Sequence, residues 1–115
     1  MDIVRVKFVL RAQEMWRGVA FWRDAFGLHS RFGDDEWTEI PLGESAMLVL
    51  RAGHDGSRRR SGLSIEVDDM DAAIVAAQRA GAQLVSAAHR PAGQTFLIAE
   101  LVDPEGNVFR LTEGA

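Results

Sequence analysis
The order strand, helix, strand, strand, strand runs twice along this chain, and a doubled unit limits its fold more than any other feature. Val4 to Leu10 and Leu63 to Val67 alternate apolar with polar residues, the period of a strand with one buried face. A displacement of 55 residues lays Phe8 on Leu63, Leu10 on Ile65, Glu14 on Asp69 and Met15 on Met70. A helix follows each strand. Met15, Val19, Trp22 and Phe26 share one helical face, and Met70, Ala73, Ile74 and Ala77 share another. Gly27 and Gly81 stand where the helices should end, because glycine takes the left-handed conformation of a helix terminus without strain. Self-similarity on this scale points to duplicated structural units.

Shorter strands complete each unit. Leu28 to Phe32, Trp37 to Pro41 and Ala46 to Arg51 are expected in the first, with Gln83 to Ala87, Thr95 to Val102 and Val108 to Thr112 in the second. Asp103-Pro104-Glu105-Gly106-Asn107 is read as a turn, proline presetting one dihedral and glycine supplying a positive one. Asp68 and Asp69 suit the start of the second helix. Gly53 to Ser61 has linker composition. The expected division is a single domain, with module one at 1–56, a linker at 57–60 and module two at 61–115. The fold class is α+β: two tandem βαβββ modules forming a curved mixed sheet around a cleft.

Composition excludes several classes of function. The net charge is −4, so Arg58-Arg59-Arg60 reads as a solvated linker rather than a nucleic-acid contact. The chain has no cysteine, which rules out disulfides and thiolate metal sites. No apolar run reaches membrane-spanning length, and the N-terminus lacks the apolar core of a signal peptide. A cytoplasmic location is expected.

Three segments carry a family resemblance. Val19-Ala20-Phe21-Trp22-Arg23-Asp24-Ala25-Phe26-Gly27-Leu28 is similar to a common helix end of the vicinal oxygen chelate superfamily, which contains the glyoxalase, bleomycin-resistance and extradiol-dioxygenase proteins. Ile65 to Ala73 is a second segment that resembles the superfamily, and Asp103 to Leu111 resembles its Asp-Pro-Glu-Gly-Asn hairpin. Together, in order, they span nearly the whole chain. These motifs describe a fold, not a chemistry.

Metal-using members of that superfamily bind a divalent ion through four strand positions, mostly His, Glu or Gln. Carried over by motif, those positions hold Lys7, Val49, Gly62 and Arg110. Lysine and arginine offer no lone pair at neutral pH, and valine and glycine have no donor atom. His29, His54 and His89 are scattered without ligand spacing. No metal and no other cofactor is expected. Metal-dependent glyoxalase and dioxygenase activities are disfavoured.

Strand alternation also assigns faces. Val6, Phe8, Leu10, Leu48, Leu50, Leu63, Ile65, Phe109 and Leu111 should face the helices. Lys7, Val9, Arg11, Met47, Val49, Arg51, Gly62, Ser64, Glu66, Val108, Arg110 and Thr112 should face the cleft. That cleft face is unexpectedly charged. Lys7, Arg51, Ser64, Glu66 and Arg110 are the candidate ligand-binding residues, with Trp37 as a stacking surface. In an alternative reading, Glu66 pairs with Arg11 or Arg110 and the charges only support the sheet. Trp16 is the other tryptophan that could meet a ligand.

Three functions fit. The first is a metal-independent binding protein, similar to the antibiotic-sequestering members, holding a small planar or anionic organic molecule. The second is a metal-free enzyme using Glu66 as acid or base. The third is an interaction module with a vestigial cleft. The first makes the chain a non-enzyme whose partner is a small molecule. The resemblance also implies a homodimer.

Overall fold
The computed structural model describes residues 1–114. The chain runs β1 (Val6–Ala12), α1 (Met15–Phe26), β2 (Phe32–Gly33), β3 (Trp37–Leu42), β4 (Ala46–Ala52), β5 (Arg59–Glu66), α2 (Met70–Arg79), β6 (Gln83–His89), β7 (Leu97–Val102) and β8 (Asn107–Glu113). The strands form two four-stranded sheets, ordered β1-β4-β3-β2 and β5-β8-β7-β6. Within each, the first strand lies parallel to the last and the remaining pairs are antiparallel. This is the expected α+β, tandem βαβββ architecture, with sheets that do not close on one another. Among the described residues no helix is long and apolar enough to cross a membrane.

One core serves both modules. Leu10, Ala12, Phe21, Trp22, Ile40, Leu48 and Leu50 join Leu63, Met70, Ala77, Leu101, Phe109 and Leu111 in a single buried cluster. At its centre Trp22 lies 5.1 Å from Phe109 and 4.9 Å from Phe21, ring to ring. The two are tilted and edge-on packings, which aromatic quadrupoles favour. Helix α1 ends on Gly27 at φ 68, whose N–H donates to the Arg23 carbonyl.

Three expectations need correction. Leu28 to Phe32 is not a strand: β2 is only Phe32–Gly33. Leu28 N–H still bonds back to the Trp22 carbonyl, so the chain wraps the helix end before it can extend. The linker at 57–60 is not free coil throughout, because β5 already begins at Arg59. Arg59 and Arg60 pair with Asn107 and Val108, and Arg59 N–H donates to the Gly106 carbonyl at 2.8 Å. Finally, Val6 and Phe8 are not core, at 49% and 37% exposed. Phe8 keeps the helix-side face but opens into an apolar groove of about 410 Å³ shared with Phe26, Leu28, Leu42, Ile65 and Val67.

The turn between β7 and β8 does more than reverse the chain. Asp103 Oδ1 accepts the N–H groups of Glu105 and Asn107, each at 2.9 Å, and Oδ2 accepts Asn107 Nδ2. Asn107 then grips β1, its Oδ1 accepting from Arg11 N–H and its Nδ2 donating to the Arg11 carbonyl. Glu14, at the N-cap of α1, makes no side-chain cap. Fully buried Glu105 replaces it, accepting the N–H groups of Gln13 and Glu14. The Glu14 N–H is a donor that a helix start leaves orphaned, and Gln13 is the residue just before that cap.

Candidate functional site
The cleft face of each sheet is the one turned away from the shared core. On the first sheet Lys7, Val9 and Arg11 of β1 stand beside Met47, Val49 and Arg51 of β4, and these beside Pro41, Glu39 and Trp37 of β3. Met47 and Val49 are fully buried although they lie outside the core cluster. Their side chains are covered by neighbours, so what this face presents to solvent is the set around them that includes Lys7, Arg11, Arg51, Glu39 and Trp37.

The charges on this face are unevenly matched. Glu39 accepts from Arg31 Nη2 at 3.0 Å and from the Trp37 indole N–H at 3.3 Å, with Lys7 Nζ 3.9 Å away. The Arg31 and Trp37 hydrogen bonds hold its carboxyl below the usual carboxylate range. Arg11 and Arg51 are direct neighbours in the parallel register, and Trp37 stands across from Arg51 on the other side. Neither guanidinium has a carboxylate partner among the described residues.

The second sheet repeats the plan. Glu100 faces Arg110 just as Glu39 faces Val49, so the two glutamates occupy equivalent places in the two modules. Arg60 Nη1 at 3.0 Å and Arg110 Nε at 3.2 Å both donate to Glu100 Oε1. The hydrogen bond from Arg60 is the main reason the Glu100 carboxyl sits below its ordinary value. Ser64 lies next to Arg110 across β5 and β8. Arg60, Ser64 and Arg110 line a hollow of about 220 Å³.

The candidate residues therefore fall into two groups: Lys7, Arg51 and Trp37 on the first sheet, Ser64, Glu66 and Arg110 on the second. No polar contact joins Lys7, Glu66 and Arg110 among the described residues. Each cation turns to a glutamate of its own sheet. Glu66 pairs with neither Arg11 nor Arg110; it is exposed and lines a separate shallow depression with Asp68 and Glu113. Trp16 is exposed on the first turn of α1, on a helix that packs on the core side of the sheet. Sequence reasoning missed Glu39, Glu100 and Arg60. The parity of Trp37 with Glu39 was a usable signal for the first. Arg60 was hidden by its linker-like surroundings.

The four positions that correspond to metal ligands do not fit a divalent ion. Lys7 and Arg110 are cations committed to glutamates. Val49 is buried hydrocarbon, and Gly62 at φ 78 adds no side chain. Among the described residues no three His, Cys, Asp or Glu side chains are grouped to hold a metal.

The model of the glyoxalase-like domain matches residues 7–112. A glyoxalase/bleomycin resistance protein/dioxygenase family enzyme from Burkholderia phytofirmans PsJN superposes with a TM-score of 0.74 at 22% identity, covering 100% of both chains. A bleomycin-binding protein from bleomycin-producing Streptomyces verticillus, complexed with copper(II)-bleomycin, gives 0.72 at 24% identity over 100% of this chain and 99% of that one. A lactoylglutathione lyase from Agrobacterium tumefaciens gives 0.76 at 18% identity, covering 99% and 96%. No curated protein shows significant similarity to the chain. With the family model spanning both modules and these folds matching end to end, the chain belongs to the glyoxalase-like domain family of the vicinal oxygen chelate superfamily.

Proposed function
We propose that this protein binds a small organic anion with a planar body on its cleft faces, and that it does so without a metal ion. The observation that carries this reading is the surplus of guanidinium over carboxylate on those faces. Among the described residues Arg11 and Arg51 lie side by side with no carboxylate on either, and Arg60 and Arg110 share a single glutamate. Adjacent like charges repel unless an anion stands between them, and the planar fork of arginine suits carboxylates and related groups. Lys7, Arg51, Ser64 and Arg110 supply the polar contacts in this account, with Glu66 at the rim. Trp37 supplies the flat apolar surface. The bleomycin-binding relative in complex with its ligand supports a binding role on this fold.

Metal independence rests on the donor chemistry of Lys7, Val49, Gly62 and Arg110. An enzymatic role for Glu66 is the weaker reading, because among the described residues no cation stands within bonding distance of it to stabilise a developing anion. The vestigial-cleft reading gains from the bonds that tie Lys7 and Arg110 to glutamates, but it leaves Arg11 and Arg51 unexplained.

A homodimer is part of the same proposal. Ile3, Val4, Val6, Phe8 and Val9 expose apolar side chains along the first strand and the segment before it. That strand ends its sheet, and although Asn107 holds it at Arg11, its Val6–Val9 half has no strand alongside on that edge among the described residues, a surface that self-association would cover.

Differential scanning fluorimetry of chelator-treated protein tests the binding role. Small aromatic carboxylates and sulfonates should raise Tm while matched neutral amides do not. Equal response to acids and amides, or a response that appears only when zinc or manganese is restored, contradicts the proposal.

A further inference from the structure
The arginines of the second sheet surround a defined hollow, and its chemistry is more specific than a general affinity for anions. Strand β5 bulges between Arg60 and Ser64, where its register against β8 shifts. Gly62 takes φ 78 in the bulge, and a Cβ placed there would meet open space. Ser61 fixes the bulge, its hydroxyl donating to the Val108 carbonyl at 2.7 Å and accepting Leu63 N–H at 3.1 Å. The result is a hollow of about 220 Å³ with Leu63, Val108 and Phe109 in its walls. That volume equals roughly seven waters at their liquid packing, room for a carboxyl group on one ring.

Its polar groups are under-used. Arg60 and Arg110 each give one N–H to the same oxygen of Glu100. Their other guanidinium N–H groups, and the Ser64 hydroxyl, have no partner among the described residues. The cluster keeps one positive charge in excess. A monoanion neutralises it, whereas a dianion would leave it negative beside Glu100. We infer that this hollow is a carboxylate-binding subsite, in which Arg60, Arg110 and Ser64 hold the carboxyl group of a small acid with an apolar body. Glu100 positions both guanidinium groups from behind. This rests on the reading that the cleft faces bind an organic anion, and it places the anionic end of the ligand on the second module.

Isothermal titration with benzoate, benzamide and inorganic phosphate tests the assignment on the wild type, Arg60→Ala, Arg60→Lys, Arg51→Ala and Arg79→Ala, each checked by a thermal melt. Benzoate should bind the wild type and bind Arg60→Ala about tenfold more weakly, the worth of one charge-assisted hydrogen bond. Arg60→Lys should recover part of that loss, Arg51→Ala should weaken benzoate binding less than Arg60→Ala does, Arg79→Ala, which removes an exposed charge of α2 outside the cleft faces, should leave it unchanged, and benzamide should bind poorly. Loss of benzoate binding in Arg51→Ala but not in Arg60→Ala would remove the subsite while leaving an anion site on the first sheet. Phosphate binding more tightly than benzoate would overturn the carboxylate assignment. Absence of binding by either anion would remove both the subsite and the wider proposal.

Discussion

Arg17 and Glu105 are joined by an ion pair across 88 positions, tying the first helix of one module to the hairpin turn of the other. Glu105 is fully buried and also accepts the N–H groups of Gln13 and Glu14. Glu105→Ala should therefore cost about 2–4 kcal/mol, because the part-buried Gln13 and Glu14 amides lose their acceptor and Arg17 loses its carboxylate together. Glu105→Gln retains an acceptor and should cost less. Urea denaturation measures both, and a loss under about 1 kcal/mol for the alanine variant would show that the clasp is not structural.

Asp103 gives the protein a pH dependence of definite sign. Burial pushes its carboxyl up to about 6 from an ordinary 3.8, against the N–H groups of Asn107 and Glu105, which lower it. The native state thus holds this proton more tightly than the unfolded chain does. The stabilisation it brings is complete below the unfolded value of 3.8 and is lost as pH rises through about 6. Asp103→Asn cannot titrate. Relative to that variant, the wild type should lose roughly 2–3 kcal/mol between about pH 4 and about pH 7. Stability curves that stay parallel across that window would contradict the assignment. Glu39 and Glu100, whose shifts run the other way, act equally in both proteins and cancel.

The turn also shows where sequence reading stopped. Asp103 to Asn107 was legible as a turn from its proline and glycine, yet its side chains clasp β1 and α1 some ninety positions away, and local pattern carries no information about such partners. The helices were legible because Trp22, Phe26 and Met70 recur at helical spacing on a buried face. The cleft parity was legible because Phe109 and Leu111 had to enter the core. Val6 and Phe8 show the limit of that logic: alternation names a face but not whether anything covers it. The same limit hid the true charge partners. Arg110 could be placed on the cleft face, but its choice of Glu100 over Glu66 depends on which strand lies alongside, and Glu100 is directly opposite it on β7.

The exposed apolar segment predicts assembly. Light scattering at high micromolar concentration should give about twice the chain mass of 12.7 kDa. Val4→Asp changes a residue outside every strand and helix, 78% exposed, so the fold should survive while the mass falls toward that of one chain. A monomeric wild type would refute the dimer.

The central claim is that the cleft arginines bind an organic anion unaided by metal, and Arg110→Ala tests it most directly. Its partner Glu100 is mostly covered, but the Arg110 side chain is 52% exposed, so removing it should cost under about 1 kcal/mol of stability. A benzoate titration on chelator-treated wild type and Arg110→Ala, run beside a thermal melt, reads both quantities. The account predicts binding in the wild type without metal, an affinity about tenfold lower in the variant, and nearly unchanged melting. Unchanged affinity in a variant that melts early would make Arg110 a structural support, and binding that returns only with a divalent ion would contradict the account outright.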